Sequence, residues 1–269
     1  MRTLRALPTI FRVGIAAAIA YRSEFVVWAL TTNIPLIMLA LWIEVAREGP
    51  LPRAGGVAFG EKELVAYFLA TLIVRQLTGN WVVWEMNTDI REGNLARLLL
   101  RPIHPFVTYT VDGLASVPMR VLLSIPIAIV ALFWVGGGHV ATDAARWTIA
   151  LLGIAGAWGV VFSAMLIIGT LGLYWESSIA VFDLWLGFFF VFSGYLMPLG
   201  FFPGWLRALS WWLPFRYTLA FPVETMLGME SVGQALRSLA VQWAYVAAFT
   251  GLGLALWKRG LARYAAFGG

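Results

Sequence analysis

Six long apolar runs, separated by short polar stretches, pattern the chain from residue 25 to residue 257. They lie at Phe25 to Ile43, Leu64 to Trp84, Phe106 to Val135, Trp147 to Tyr174, Ile179 to Met197 and Leu239 to Trp257. Each is long enough to cross roughly 30 Å of hydrocarbon as a helix. The third and fourth exceed one crossing, so tilts or interfacial elbows are expected, and Pro118 and Pro126 make a break in the third plausible. Ahead of the runs, Arg2, Arg5, Thr9 and Arg12 share one helical face, and Leu4, Leu7, Ile10, Phe11 and Ile15 fill the other. Residues 1–22 therefore read as an amphipathic helix lying in the interface, its basic face toward anionic headgroups. A secretory signal would need a small-residue cleavage site after a short apolar core, and none follows.

Composition sharpens this picture. The 269 residues are 61% hydrophobic and 12% charged, and mean hydropathy is +0.81. A soluble domain of this size would need far more charge to cover its surface, so the chain reads as one all-α polytopic membrane domain over residues 1–269. Fourteen Trp suit two membrane–water interfaces. The absence of Cys removes disulfides, thiolate metal sites and thiol catalysis. The pI of about 9.8 invites a nucleic-acid reading, but the basic residues are scattered between apolar runs and fit membrane orientation better. With the N-terminus inside, inner segments carry ten Arg and Lys (Arg2, Arg5, Arg12, Arg22, Arg91, Arg97, Arg101, Lys258, Arg259, Arg263). Outer segments carry seven (Arg47, Arg53, Lys62, Arg146, Arg207, Arg216, Arg237), four of them in longer loops away from span ends. Both termini are therefore expected inside.

Two segments between the runs are too well specified to be passive. The first is Asn87-Thr-Asp-Ile-Arg-Glu-Gly-Asn-Leu-Ala-Arg-Leu-Leu-Leu-Arg-Pro-Ile-His-Pro105. Asp89 is expected to cap a helix with Glu92 near its positive end. Leu95, Leu98 and Leu99 would share one face, Asn94, Arg97 and Arg101 another, with a stop before Pro102. Segment 87–105 reads either as an amphipathic helix on the bilayer or as a docking helix for an inner partner. The second segment, 198–235, is too apolar for a solvated loop and too rich in Pro and Gly for a span. Short helices dipping back from the outer side fit it, one of them from Pro203 to Leu213 with Trp205, Leu209 and Trp212 on one side.

Polar residues inside the runs each need a partner, because a charge at mid-bilayer costs roughly 2.5–3.5 kcal/mol or more. Arg75, Gln76 and Asn80 lie in the second run, Arg120 in the third and Asp183 in the fifth. Arg75 and Asn80 are candidates for a polar path. Arg120 with Asp183 or Glu176 is a candidate ion pair. Phe188 and Phe192, one turn apart, could form an apolar gate or simply pack. Gly153, Gly156 and Gly159 point to close helix approach. His104 and His139 fall on opposite sides, so no two-His metal site is available.

Taken in order, these motifs resemble a known family. Ile90-Arg-Glu-Gly-Asn-Leu-Ala-Arg-Leu-Leu-Leu-Arg-Pro-Ile103 resembles the coupling segment of bacterial ABC exporter permeases of the type-2, ABCG-like class, in the branch with an I-R-x-G-x-L motif ending in R-P. Ser193-Gly-Tyr-Leu-Met-Pro198, Pro203 and Leu213-Pro-Phe215 are similar to the re-entrant outer segment of that class. The resemblance implies six spans, a translocation path between two permease chains, identical or merely similar, and a place in the bacterial inner membrane. It also implies two separate ATPase subunits that bind ATP and Mg, gripping Ile90, Arg91, Glu92, Asn94, Arg97 and Arg101. No cofactor is expected in this chain, which has no G-x-x-x-x-G-K-[ST] and only two lysines, Lys62 and Lys258. An ion-coupled secondary transporter is the alternative. It would need a titratable mid-membrane carboxylate and inverted repeats, and only Asp183 qualifies. An intramembrane enzyme lacks paired catalytic groups.

Overall fold

The computed structural model describes residues 33–49, 51–54, 57–135, 139–175 and 178–267. The expected interfacial helix and the start of the first apolar run lie outside the described residues. Eleven helices follow in chain order among the described residues: α1 (Ile34–Glu48), α2 (Glu61–Thr78), α3 (Val82–Arg91), α4 (Asn94–Leu99), α5 (Pro105–Ala115), α6 (Val117–Val135), α7 (Ala144–Thr170), α8 (Ser178–Phe192), α9 (Gly204–Trp212), α10 (Ala220–Met226) and α11 (Val232–Phe267). A two-residue antiparallel pair, β1 (Arg53–Ala54) with β2 (Val57–Ala58), turns the chain between α1 and α2. The stretches Ala144–Leu173 and Val232–Tyr264 are long and apolar enough to cross a membrane, and Ser178–Phe192 is a shorter apolar helix.

Three of the apolar runs depart from simple spans. The second run splits at Gly79–Trp81 into α2 and α3, where the Asn80 side chain accepts from the Val82 amide at 2.9 Å and turns the chain into a new helix. The third splits at Ser116, two residues before Pro118, and then continues through Pro126. The fifth stops at Phe192, and Gly194 turns the chain at φ +83°, a conformation that favours glycine.

The long helix α7 is the spine. It packs lengthwise against α11, with Gly156 and Gly159 at that contact and Gly153 facing α10. A methyl on Gly159 would lie 3.0 Å from Val246, and one on Gly153 would lie 3.1 Å from Phe221. One on Gly156 would collide with the Gln242 amide. Gln242 is fully buried and donates both to the Gly153 carbonyl at 2.8 Å and to the Tyr217 carbonyl at 2.7 Å. Two apolar clusters sit at opposite ends of the spine. One joins Phe68, Val74, Phe189, Phe215 and Leu219, the other Met86, Leu95, Phe106, Met165 and Trp257.

Gly156→Ala is expected to lower the thermal unfolding midpoint in detergent, with a loss of about 1–3 kcal/mol. Adding Gln242→Ala should relieve the collision, so the two losses sum to less than their separate values. Strict additivity would show that Gln242 does not set this helix distance.

Candidate functional site

Segment 87–105 folds as two short helices with a sharp joint. Gly93 holds φ +73°, so α3 ends at Arg91 and α4 starts at Asn94. Asp89 is not a helix cap. It lies inside α3 and accepts from the Tyr109 hydroxyl of α5 at 2.8 Å, tying the two arms together. Glu92 accepts from Asn94 at 3.0 Å, and Asn94 in turn accepts from Arg97, so three expected site residues form one exposed chain of hydrogen bonds. Ile90 packs against the apolar cluster near Gly172, while Arg91 and Arg101 are exposed. Leu95 is fully buried and Leu98 packs beside it. Leu99 departs from their shared face and is exposed, followed by Leu100 at 88% exposure. Leu99 is the last residue of α4, where the helix gives way to the exposed turn before Pro102.

The rest of this end is tightly held. The Tyr174 hydroxyl donates to the Leu256 carbonyl at 2.7 Å, and Ser178 donates to Asn87 at 3.1 Å. His104 Nδ1 accepts from the Phe106 amide at 3.2 Å and caps α5. Burial, helped by Lys258, pushes the His104 imidazole below its usual pKa, which keeps it neutral for this role.

The two helix breaks meet at one level. Arg120, in the first turn of α6, donates to the Gly79 carbonyl from Nη1, to Ser116 Oγ from Nη2 at 2.7 Å, and to the Ser116 carbonyl from Nε. The expected Arg120–Asp183 pair is therefore not made. The guanidinium is taken by carbonyls freed at the breaks, while Asp183 is exposed on α8 with no hydrogen bond or ion pair among the described residues. Glu176 lies outside the described residues. Arg75 stacks over Phe189 at 5.2 Å and hydrogen-bonds with Tyr195. Phe188 and Phe192 lie 6.3 Å apart, and Phe188 is 45% exposed.

The opposite end holds a feature that the apolar-run pattern passed over. Arg216 is 2% exposed, and its Nη2 lies 2.6 Å from Glu224 and 2.5 Å from Glu230. Trp211 covers it at 3.9 Å, and a cavity of about 120 Å³ opens beside Ser210, Met229 and Gln234. Three charges within fifteen residues of an apolar segment were the available signal, since such charges must pair. The helix expected from Pro203 to Leu213 is present as α9, with Trp205, Leu209 and Trp212 all exposed.

These features lie in a chain whose residues 55–268 match the family model described as "ABC-2 family transporter protein". The protein belongs to that family and is an ABC-2-type permease of the membrane. No curated protein matches the chain.

Burial and the neighbouring Glu230 raise the Glu224 pKa to about 7, against the opposing pull of Arg216. A carboxyl whose pKa rises on folding stabilises the fold below its ordinary value of 4.5 and loses that contribution as pH climbs through about 7. The segment around α10 is thus expected to exchange its amide hydrogens faster at pH 8 than at pH 6, after correction for intrinsic rates. Glu224→Gln should flatten that difference; an unchanged pH dependence would place the titrating group elsewhere.

Proposed function

We propose that this chain is the six-span permease subunit of an ATP-driven exporter in the bacterial inner membrane, with both termini cytoplasmic. It forms the substrate path with a second permease chain, identical or similar, and two separate ATPase subunits bind ATP and Mg. Residues 1–22 lie in the interface, residues 87–105 form the coupling segment of the I-R-x-G-x-L branch, and residues 198–235 dip back from the outside. ATP-driven closure of the ATPases moves α3 and α4, and the motion passes to the path near Arg75 and Asn80. Phe188 and Phe192 stand at its apolar gate.

The observation that carries this reading is the shape of the coupling segment. Leu95 anchors it in the interior, Leu99 and Leu100 are exposed, and Arg91, Arg97 and Arg101 add exposed positive charge to the same segment. Exposed leucines beside arginines form a small apolar knob with a charged rim, which suits a protein groove with acidic edges. The interior anchor makes the knob rigid enough to transmit displacement.

Arg97→Glu and Arg101→Glu are each expected to abolish ATP-dependent transport, with the protein still inserted and folded. Leu100→Glu, at a side chain 88% exposed among the described residues, should release the ATPase during mild detergent purification. Transport surviving both reversals, together with ATPase retention in Leu100→Glu, would show that the segment is not the docking site.

A further inference from the structure

The joint between the helix breaks carries more positive charge and more hydrogen-bond donors than the described residues satisfy. A methyl on Gly79 would lie 2.8 Å from Arg120 Nη1 and 3.1 Å from Arg75 Nη1, so the two guanidinium groups flank one point. Among the described residues, no carboxylate acts on either arginine; the groups that do are Tyr195 for Arg75 and Arg75 itself for Arg120. Two like charges close together in a low-dielectric interior are unfavourable unless an opposite charge joins them.

The unsatisfied atoms have one chemical sense. Arg75 Nε, Asn80 Nδ2 and Trp158 Nε1 are buried with no acceptor. The orientation of Asn80 is set by its oxygen, which accepts from the Val82 amide, so its amino group is the free end. That amino group and the Trp158 ring border the same glycine, lying 3.1 Å and 3.7 Å from a methyl placed on Gly113. Each of these atoms can only donate. Buried donors left unpaired cost free energy, and the group that completes them must accept hydrogen bonds and carry negative charge. Both arginines retain partial exposure, so the site is reachable from outside the chain.

We propose that this joint binds the acidic head, a phosphate or carboxylate, of an amphipathic molecule. Arg75 and Arg120 supply the charge, and Asn80 and Trp158 supply neutral donors. Guanidinium groups suit this task because their planar donors match an oxyanion and stay charged when desolvated. The acidic head can belong to a resident phospholipid or to a transported solute.

The test uses the full chain in an uncharged detergent, with palmitoyl lysophosphatidic acid as probe and palmitoyl lysophosphatidylcholine as the matched control lacking net charge. Binding is read by tryptophan fluorescence and by the shift of the thermal midpoint. The unmodified chain is expected to bind the acidic probe saturably and at least tenfold more tightly than the control. Arg75→Gln should weaken the acidic probe at least tenfold. Asn80→Asp is the decisive variant, because it keeps the acceptor for the Val82 amide and supplies the missing negative charge internally. It should raise the thermal midpoint and abolish the preference for the acidic probe. Equal binding of the two probes by the unmodified chain would overturn the proposal. So would Asn80→Asp that lowers the midpoint and leaves probe binding intact. If Arg75→Gln fails to fold, Arg75→Lys and Asn80→Asp decide by the same readouts. Mass spectrometry then separates the sources. An acidic phospholipid retained by the unmodified chain but absent from Asn80→Asp supports a lipid occupant, and an empty chain that takes up the probe supports a solute. These measurements use no ATP or ATPase, so Arg97→Glu should leave binding unchanged even where it abolishes transport.

Discussion

A peptide carbonyl in hydrocarbon has no water to bond, so each place where a helix stops must be covered by a donor from elsewhere in the chain. This constraint organises the protein. Arg120 covers Gly79 and Ser116 at the two breaks. The Tyr67 hydroxyl covers Gly194 and the Trp42 indole covers Leu196, where the chain leaves α8. Gln242 covers Tyr217, and Tyr245 covers Trp212, where segment 198–235 meets α11. Apart from the local bond from Arg120 to Ser116, these bonds span at least twenty-five residues in sequence, so the irregular points of the backbone are also where distant helices are tied together.

The placement of those ties divides the molecule mechanically. The ten residues of α3 and eleven of α5 run about 15 Å from the loop to the breaks. Asp89 and Tyr109 lock these two arms to each other, and Arg120 is the pin where they join the longer helices α2 and α6. The loop therefore sits on a short paired arm rather than on two continuous rods.

Much of this was legible in the residues, and the failures have physical causes. Apolar runs located every long helix in the described part of the chain, and Pro203 and Leu213 bracketed α9. Periodicity could not see the break at Gly79, because Asn80 acts locally, and Thr78 to Trp84 is still apolar enough to read as a span. Asp89 had the right chemistry for a cap, but Tyr109 offered it a better bond across the hairpin. Arg120 does not pair with Asp183 because carbonyls freed at the breaks take its guanidinium, and opposite charges are visible in a sequence while freed carbonyls are not. Arg216, Glu224 and Glu230 went unread as a group, although three charges so close in an apolar segment need one another as partners.

That buried triad also bears on how the protein can be made. Its members are separated by only eight and fourteen residues, whereas Arg120 reaches Gly79 across forty-one. An emerging chain can thus close the triad within one short segment, before α11 exists, and deliver it to the bilayer already close to charge balance. Arg120 has no such shelter when it is synthesised, but its acceptor at Gly79 is already in place. In both cases the costly side chain meets its partner without waiting for later helices, so chain order and membrane insertion are matched along the polypeptide.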